Sequence, residues 1–574
     1  MTLNKGLSTL YRGHRFIVIL ILCLFGLFLA QAMTPVKKRR QKDQADRIYL
    51  LHADELFYNQ FGNNPGAQIV KGHVSFRHLG AFLSCDSAYY YQESNSVKAF
   101  GHVYFKQGDT LSLRCERATY DGTVQQMEAR KNVVVHHRSQ VLRTDSLNYD
   151  RLYNQIFFFD GGSLVDGHNR LVSDWGTYYP ETRKAVFYYN VHLRSPKHII
   201  STDTLYYDVR KELVHVLGPK SRIRSGKTII KTTDAYYNTR TDKARMYGRS
   251  TVEDGFKTIT GDSLFYVKNG NSLGFGRVIY RDNKNHNALH CGFFRYNERT
   301  GNGFATRNPV AYEYSHKDTL YVHSDTMKIY SFNLNKKDAY RKVFAFHKVK
   351  AFRTDIQAIC DSLVYNSKDS CMTMYHDPIV WNEGRQLLGE VIEAYLADST
   401  LRQVNVIGQA LSVEVLPDSI HFNQVSSKVM HSFFTNGNLR TSVAIGNVQA
   451  VYFPVNDKDS SLMGLNYTET DTMRMYMSPQ KKMQRIWMPK AQGTLYPMTQ
   501  IPPSKLKLPD FEWFADLRPK DKNDIFVWRG KSQTQQLKIE KRHGAPLQHL
   551  ENTSPESPRR DIPKSQPPQR KRQR

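Results

Sequence analysis

The stretch GHVYFKQGDTLSLRCERATYDG, Gly101 to Gly122, contains two alternating apolar runs separated by a turn. In the second run, TLSLRCER, the apolar residues Leu111, Leu113 and Cys115 alternate with polar ones. A period of two puts apolar side chains on one face of a strand, whereas the apolar positions of a helix recur every three to four residues. The stretch therefore predicts short strands joined by turns such as KQGDT, Lys106 to Thr110.

The same unit recurs along the chain. An acidic residue, a few small or apolar residues and then Tyr or Phe occur at Asp54, Asp86, Glu116, Asp145, Asp174, Asp203, Asp234, Asp262, Asp325 and Asp361. From Asp54 to Asp262 the successive spacings are 32, 30, 29, 29, 29, 31 and 28 residues. A second element, a small residue or glycine followed by alternating apolar positions, lies between the acids, as in AFGHVYF, Ala99 to Phe105. Such a period predicts stacked units that bury their apolar faces on one another.

The repeat and the composition together predict an all-β protein. The chain of 574 residues has 34 Tyr and 30 Phe, and aromatic side chains favour strands. We expect an elongated, repetitive antiparallel body, either a β-jellyroll or a solenoid. We predict a signal peptide or N-terminal anchor at 1–32, a basic linker at 33–50, a first lobe of β repeats at 51–285, a second lobe at 286–490, and a largely disordered tail rich in Pro and basic residues at 491–574.

The N-terminus has the layout of a secretory signal. Lys5 and other basic residues precede the apolar run Phe16 to Ala30, which ends at the small-residue site AQA, Ala30 to Ala32. The run is shorter than the ~20 residues that usually span a membrane. The basic KKRR, Lys37 to Arg40, follows at once and leaves an uncleaved anchor open. We therefore expect the main body of the protein to meet a membrane or to lie beyond one.

The surface charge predicts an anionic partner. The chain has 81 basic and 53 acidic residues, a net charge of +28. Charge alone leaves nucleic acid, membrane phosphate and an acidic glycolipid open. The export signal favours the two lipid classes, and we expect no nucleic-acid partner.

The cysteines and the repeated acids predict structural roles. Cys85, Cys115 and Cys360 each precede the repeated acid and match small, buried apolar residues. No cysteine pair has CxxC spacing, so we expect neither a metal site nor a disulfide framework, although a Cys85–Cys115 bridge stays open. One acid per unit is too few for calcium, and we expect it to fix a bend between strands by accepting hydrogen bonds from backbone amides.

The sequence carries no catalytic signature. GxSxG, HExxH, Walker and dinucleotide-binding motifs are absent, and the only adjacent histidines, His136 and His137, point to opposite faces of a strand. We therefore predict a protein that is not an enzyme and that needs no cofactor.

One face of the strands carries a stripe of apolar side chains. The residues that we expect on this stripe are Val103, Phe105, Leu111, Leu113, Val133, Val135, Leu205 and Leu264. They form the core if the sheets close on one another. If the sheets splay apart, the same stripe becomes a trough for acyl chains, with Lys and Arg at its rim to meet phosphates.

Three elements of the repeat resemble a known family. GDSLFY (Gly261 to Tyr266), TDSLNYD (Thr144 to Asp150) and AFGHVYF (Ala99 to Phe105), behind a secretory signal, resemble the OstA-like proteins, a superfamily of lipopolysaccharide-transport β-jellyrolls. The resemblance covers roughly Asp54 to Tyr452. It implies twisted, incompletely closed jellyrolls whose apolar interior carries the acyl chains of lipid A, and the length of the repeat implies two such domains stacked.

The resemblance also implies a function and partners. The expected function is non-catalytic binding and transport of lipopolysaccharide in outer-membrane assembly, as an LptA-like bridge or shuttle. The expected location is the periplasm, where the protein is either free, held by its N-terminal segment, or located at the outer membrane. The expected protein partners are an LptD-like translocon and the inner-membrane Lpt components, joined by end-to-end strand pairing. The alternative is a structural or adhesive β-solenoid at the cell surface with a closed core.

Overall fold

The computed structural model describes residues 46–58, 64–315, 317–334, 336–397, 400–456, 459–480 and 483–531. These residues form 36 strands and four 3-10 helices, with no α-helix among them. Neighbouring strands pair antiparallel throughout, as in β3 with β4 and β5 with β6. The all-β antiparallel prediction is confirmed. The predicted signal segment 1–32 and the linker up to residue 45 lie outside the described residues.

The chain divides into two compact units, residues 1–300 and 301–574. The predicted boundary between lobes, at residues 285 and 286, lies in the turn between the last two strands of the first unit. The strands of the first unit are β1 (Tyr49–His52), β2 (Glu55–Tyr58), β3 (Gln68–His78), β4 (Ala81–Tyr91), β5 (Ser96–Gln107), β6 (Leu111–Asp121), β7 (Gln126–His137), β8 (Gln140–Asp150), β9 (Gln155–Phe158), β10 (Gly162–Asp166), β11 (Asn169–Ser173), β12 (Trp175–Tyr179), β13 (Lys184–Arg194), β14 (His198–Asp208), β15 (Leu213–Ser225), β16 (Thr228–Asn238), β17 (Lys243–Asp254), β18 (Lys257–Val267), β19 (Asn271–Asp282) and β20 (Asn287–Asn297).

The second unit continues the same kind of meander and ends in short 3-10 helices. Its strands are β21 (Asn302–Thr306), β22 (Val310–Glu313), β23 (Leu320–His323), β24 (Thr326–Phe332), β25 (Tyr340–Phe352), β26 (Ile356–Asn366), β27 (Cys371–Tyr375), β28 (Ile379–Asn382), β29 (Arg385–Leu388), β30 (Val391–Ala397), β31 (Thr400–Val415), β32 (Phe422–Thr435), β33 (Asn438–Tyr452), β34 (Leu465–Met477), β35 (Met483–Trp487) and β36 (Gln492–Tyr496). The 3-10 helices are Met498–Gln500, Pro503–Lys505, Ala515–Leu517 and Asp524–Phe526. No helix within the described residues combines the length and the apolar character that a membrane span requires.

Long strands alternate buried and exposed side chains on both sides of a central irregularity. In β5, Val97 and Ala99 are buried before this irregularity, and Val103 and Phe105 are buried after it. The ladder between β5 and β6 has a β-bulge between Phe100 and Val103. A bulge bends its strand, so both halves of β5 turn their apolar side chains toward one interior.

The bulge changes where the repeated glycine and acid act. The sequence predicts them at bends between strands, whereas Gly101 lies in the middle of β5 and Asp86 lies in the middle of β4. The prediction is wrong on this point because the β4–β5 ladder continues on both sides of the bulge, so the chain bends without ending a strand.

The segment after β34 also differs from its prediction. The sequence predicts a largely disordered tail at 491–574, but residues 492–531 form β36 and a segment that packs on the second unit. Leu508, Phe514 and Ile525 of this segment are buried. Apolar residues spaced along a polar chain gave no periodic signal, which is why the sequence did not indicate the packing. Residues 532–574 lie outside the described part of the chain.

Candidate functional site: the apolar interior

The eight residues of the predicted apolar stripe all lie inside the first unit. Val103, Phe105, Leu111, Leu113, Val133, Val135, Leu205 and Leu264 are all buried and belong to one hydrophobic cluster. Phe105 shows how closely the interior is packed, because its ring lies 6.0 Å from the ring of Tyr149, edge to face, and 6.4 Å from that of Tyr120. The structure therefore brings the stripe together as a core; contact of these residues with lipid stays a prediction.

At four of the bulges a glycine lies against the repeated acid of the neighbouring strand, as Gly101 does against Asp86. Gly101 has a φ of 71°, and a Cβ placed there would lie 2.2 Å from a carboxylate oxygen of Asp86. The next residue, His102, shares a hydrogen bond of 2.7 Å with the same carboxylate. Glycine is required here for two reasons, the left-handed backbone and the space that the acid occupies. The acid thus has a structural role on the outer surface of the bend.

The two ends of the strands define two rims of the first unit. Rim A contains the turns after odd-numbered strands such as β3, β5 and β7, and rim B contains the turns after even-numbered strands such as β4, β6 and β8. Because every long strand bends at its bulge, side chains from the two rims approach each other. The Tyr120 hydroxyl at rim B lies 2.6 Å from Nδ1 of His78 at rim A.

This bridge is repeated by a row of tyrosines along rim B. The row consists of Tyr90, Tyr120, Tyr149, Tyr178, Tyr207, Tyr237 and Tyr266, all buried and spaced 29 or 30 residues apart. The Tyr149 hydroxyl donates to the Gln107 amide oxygen at 2.8 Å, across 42 residues of sequence. The Tyr178 hydroxyl lies 2.7 Å from Nδ1 of His137, across 41 residues. We call this row the tyrosine ladder; it joins the rims and closes the interior.

The histidines of the ladder are buried and held by several partners. His78 Nε2 donates to the Asp46 carbonyl at 3.0 Å, so its Nδ1 accepts from the Tyr120 hydroxyl. Arg151 also donates to the Tyr120 hydroxyl. The positive charge of Arg151 disfavours a second positive charge on the His78 ring. Burial, which disfavours the charged ring, lowers the pKa of His78. Burial lowers the pKa of His137 in the same way, with Arg138 and Arg183 adding repulsion.

We call each link between the rims a rung of the tyrosine ladder. In one rung, a carboxylate lies between the histidine and the tyrosine and is hydrogen-bonded to both. His198 at rim A lies 2.8 Å from Asp242 at rim B, and the Tyr237 hydroxyl donates to the same carboxylate oxygen. Hydrogen bonds from Tyr237 and His198 lower the pKa of Asp242, against the effect of burial. The rung therefore supplies the same cross-rim link as Tyr120 and His78 with different chemistry.

The cysteines occupy the buried position that the sequence predicts. Cys85, Cys115, Cys291, Cys360 and Cys371 are all buried as free thiols, and no Cys85–Cys115 bridge is formed. Burial raises the pKa of Cys85 and of Cys115 to about 12. These thiols stay protonated at neutral pH and act as small apolar side chains. Among the described residues, no group of three or more His, Cys, Asp and Glu side chains is arranged to hold a metal ion.

The second unit places a hydrophobic cluster on the opposite face of its sheet. Cys360 and Ala358 in β26 occupy the positions that Cys115 and Leu113 occupy in β6, whereas Ile359 lies on the other face. The cluster on the face of Ile359 consists of Ile359, Ile379, Trp381, Leu388, Leu411, Val413, Leu416, Val451, Phe453, Leu465, Leu508 and Phe514. The last two belong to the segment that follows β36. We call residues 501–531 the C-terminal strap.

Polar side chains buried on the sheet hold the backbone of the C-terminal strap. Gln386 accepts from Phe514 N at 2.8 Å and donates to the Glu512 carbonyl at 2.8 Å. Gln424 makes the same pair of bonds with Leu508 N and the Leu506 carbonyl, both at 2.9 Å. Each glutamine satisfies both of its polar groups, as a buried amide requires. The strap is therefore bound along its backbone as well as by its apolar side chains.

A buried lysine secures the end of the strap. Lys350 Nζ donates to the carbonyl oxygens of Asp524 and Val527, at 2.8 and 2.7 Å. Burial lowers the pKa of Lys350. Further along, Lys531 lies 2.6 Å from the Asp377 carboxylate. Removing the strap would leave the Lys350 ammonium without these two acceptors on the sheet surface.

The first unit contains the segment that comparison with known families identifies. Residues 45–203 match the family model of the OstA-like proteins. The predicted resemblance is confirmed for this OstA-like segment, which spans β1 to β13 and enters β14. It contains the bulges of β3, β5 and β7 and the first four tyrosines of the ladder. No curated protein matches the chain.

The tyrosine ladder and the C-terminal strap were not predicted. The acid-to-tyrosine element was recognised in the sequence, but the tyrosine was treated as a strand former and not as a link between rims. Its constant spacing of 29 or 30 residues was the available signal. The glutamines that bind the strap had no such signal, because a lone Gln in a strand is most often exposed.

Proposed function

We propose that this protein is a non-catalytic carrier that binds lipopolysaccharide, or a related anionic glycolipid, during outer-membrane assembly. The proposal includes a periplasmic location, either free, held by the N-terminal segment, or at the outer membrane. The OstA-like segment supports it, because the family that residues 45–203 match is the family that the repeat resembles. The observation that carries the proposal is a continuous apolar interior whose two rims are joined by side chains, as in the Tyr120–His78 bridge.

The interior can admit an acyl chain without loss of the strand ladders. The hydrogen bonds that close the rims belong to tyrosine, histidine and glutamine side chains, whereas the backbone bonds run between neighbouring strands. Separating the rims would break one side-chain bond per rung, which costs about 1 kcal/mol each. Burial of an acyl chain contributes about 0.8 kcal/mol for each CH₂ group. Burial of an acyl chain of twelve or more carbons therefore offsets the free-energy cost of breaking the hydrogen bonds of several rungs.

The test is whether lipid reaches the interior of the full-length protein. The mature protein is isolated from the membrane fraction of its host, and bound glycolipid is extracted and analysed by mass spectrometry. Photoreactive residues are placed at interior positions of both units, Leu113 and Leu264 among them, and at least one of these positions should crosslink to lipid, whereas one at Arg114, exposed on the outer face of β6, should not. Absence of glycolipid from the extract, together with no crosslink at any interior position of either unit, would contradict the proposal.

The first two strands provide a surface for protein partners. β1 and β2 pair with β3, and within the described residues they have no strand on their other side. They are exposed, with Leu51 at 50% and Leu56 at 54% of their full accessible surface. An exposed apolar edge favours pairing with a strand of another chain. We assign this edge to an LptD-like translocon or to inner-membrane Lpt components, and a photoreactive residue at Leu56 should crosslink to one of them in cells.

The filled interior of the first unit favours a second candidate function. A structural or adhesive β-solenoid at the cell surface needs a closed core, and Phe105 and Tyr149 fill the first unit in this way. A structural protein would carry no lipid and would remain at the cell surface after export. Finding the full chain accessible to protease on intact cells, with no extractable glycolipid, would establish this function instead of the carrier.

A further inference from the structure

Each unit has its own row of buried side chains next to the bulges, and we call this row the floor of the interior. In the second unit, a row of paired residues crosses the sheet next to the bulges: Ala345, Leu363, Met374, Ile392, Val406, Met430, Ala444 and Met473. All of them are buried, as are the corresponding Ala99 and Ala118 in the first unit. The second unit therefore has an interior floor built in the same register.

The next row of side chains, toward rim B, differs in size and exposure between the units, and we call this row the wall at rim B. In the second unit, rim B is the side of the turns after β26, β30 and β32. In the first unit this row is the tyrosine ladder with Val97, Met127 and Ala185 between its members, and every residue is buried. The corresponding row of the second unit is Val343, Tyr365, Met372, Ala394, Val404, Ser432, Ser442 and Met475. Six of these eight side chains are partly exposed. In β30 and β32 the tyrosine is replaced by Ala394 and Ser432, which cannot reach across to rim A.

The corresponding row of side chains toward rim A, which we call the wall at rim A, is also smaller and more exposed in the second unit. In the first unit the row that contains Phe105 and Leu113 consists of large apolar side chains, all buried through Ile230. The corresponding row of the second unit is Ala351, Ala358, Val380, Leu387, Ser412, Val425 and Ala450. Four of these seven are partly exposed, and most are small. The inner face of the second unit thus has a buried floor between two low, partly exposed walls.

The C-terminal strap accounts for the stability of a unit with this inner face. The large apolar side chains of the second unit, such as Trp381 and Leu411, lie on the opposite face of the sheet and pack beneath the strap. Trp381 is fully buried there and donates from Nε1 to Gln386 at 3.0 Å. The unit therefore has a hydrophobic cluster outside the interior in addition to its buried floor, so the walls of the interior do not need to be filled by large side chains.

Arginines occur at rim B beside the open wall. Arg341, Arg402 and Arg440 each lie two residues before a member of the wall, namely Val343, Val404 and Ser442. In the first unit the same positions before Val97, Val214 and Ala244 carry Asn95, Glu212 and Asp242. Arg402 and Arg440 are the unpaired residues of β-bulges in β31 and β33.

Arg440 has an unused hydrogen-bonding group at this position. Its Nη1 atom is buried and has no hydrogen-bond partner among the described residues. A buried guanidinium nitrogen without an acceptor is costly, and a phosphate oxygen is an acceptor that a guanidinium binds well. The site therefore combines an apolar trough with an arginine at its edge whose Nη1 atom has no hydrogen-bond partner among the described residues.

We infer that the second unit, and not the OstA-like segment, holds the acyl chains of the carried lipid. The chains lie on the floor between Ala394 and Ser432 at rim B and Ser412 and Val425 at rim A, and a lipid phosphate accepts hydrogen bonds from Arg440. The inference rests on the proposed carrier function and assigns its binding site. An anionic lipid fits because its apolar chains match the walls and its phosphate matches the unpaired cation.

The first experiment compares crosslinking in the two units of the full-length protein. A photoreactive residue is placed at Ser412 or Ala394 in the second unit, and at Leu113 or Tyr149 in the first. The probe is purified bis-phosphorylated lipid A in detergent micelles. We expect crosslinks at Ser412 and Ala394 at least about tenfold stronger than those at Leu113 and Tyr149. Crosslinks confined to the first unit would overturn the inference and leave the carrier function standing, whereas no binding by any position would overturn the carrier function.

The second experiment refills the trough. The double variant Ala394→Tyr with Ser432→Tyr restores tyrosines where the first unit has its ladder, and it should weaken lipid A binding at least about tenfold. Thr441→Tyr, on the outward side of β33 next to Ser442, is the matched control and should bind as the wild type does. Circular dichroism and the urea midpoint establish that each variant is folded. Unchanged binding by the folded double variant would overturn the inference.

The third experiment tests the phosphate contact. Arg440→Gln should weaken binding of bis-phosphorylated lipid A about tenfold and leave binding of the dephosphorylated form unchanged. Arg474→Gln, on an exposed site of β34 next to Trp487, is the control. Equal losses for both lipids, or no loss for either, would overturn the assignment of the phosphate to Arg440. The ratio of the two affinities distinguishes this contact from a general weakening of the fold.

Discussion

The two units place their hydrophobic clusters on different faces of their bent strands. The cluster lies on the inner face in the first unit and on the opposite face, under the C-terminal strap, in the second. The first unit fills its interior with large side chains and links its rims by the tyrosine ladder. The second unit has partly exposed walls on either side of its buried floor and builds a hydrophobic cluster under the C-terminal strap. The comparison shows that a repeat fixes the bend of each strand without fixing which face becomes the core. Residues that differ between units, such as Leu113 and Ala358, decide it.

The largest effect is expected from the anchor of the strap. Phe514→Ala removes a buried ring from the cluster of the second unit and should lower its free energy of unfolding by about 3 to 5 kcal/mol. Hydrogen exchange should show lost protection in β28 to β31 and unchanged protection in β5 to β8. Ile420→Ala is the control, since Ile420 is 74% exposed and its loss should have little effect. Equal loss of protection in both units would mean that the strap does not act on the second unit alone.

A pair of leucines compares the two interiors directly. Leu113 and Leu387 lie in corresponding rows, the first fully buried and the second partly exposed. Leu113→Ala should cost about 2 to 5 kcal/mol, because it leaves a cavity in a filled core. Leu387→Ala should cost less than about 1 kcal/mol, because water already reaches that side chain. Urea unfolding followed by hydrogen exchange measures both, and similar costs would argue against an open interior in the second unit.

The tyrosine ladder should contribute modestly at each rung. Tyr149→Phe removes the hydroxyl that donates to Gln107 and keeps the ring, so the first unit should lose about 1 kcal/mol. Tyr153→Phe is the control, because Tyr153 is exposed. Faster exchange of amides at both rims, with unchanged exchange at the bulges, would support a link between rims. An unaltered urea midpoint for Tyr149→Phe would contradict it.

The smallest effect concerns pH and is expected from His137 of the first unit. Burial lowers the pKa of His137, so the unfolded state binds the proton more readily than the folded state does. The stability that neutral His137 supplies is present above its ordinary pKa of about 6.5 and is lost as the pH falls below that value. The urea midpoint of the first unit should therefore fall between pH 7.5 and pH 5. His137→Gln should flatten this dependence, and the exposed neighbour His136→Gln should not.

The sequence predicted the features that depend on local alternation. TLSLRCER predicted the buried face of β6, where Leu111, Leu113 and Cys115 are indeed buried. The period of the acids predicted repeated antiparallel units, and the Cys position in the repeat was predicted to be buried. These predictions succeed because alternation and period are properties of single strands and of their neighbours.

The features that the sequence did not predict depend on distant partners. A glycine and an acid are as compatible with a turn as with a bulge, so the bend at Gly101 was placed between strands. Gln386 meets the strap across 126 residues of sequence, and nothing around it indicates burial. The sequence also did not indicate that side chains fill the interior of the first unit, because the stripe at Leu113 is apolar whether or not water or lipid reaches it.

The C-terminal strap sets an order of events for the folding of a newly made chain. The first unit forms its contacts between neighbouring hairpins, and its rungs join residues that are 41 to 44 positions apart. Lys350 must wait for Asp524, 174 residues later, before its ammonium is satisfied. A chain that emerges from its N-terminus can therefore complete the first unit early, whereas the second unit exposes Trp381 and its neighbours until the strap arrives. A chain whose strap has not yet been synthesised would present this apolar face to chaperones, and the strap would then cover it.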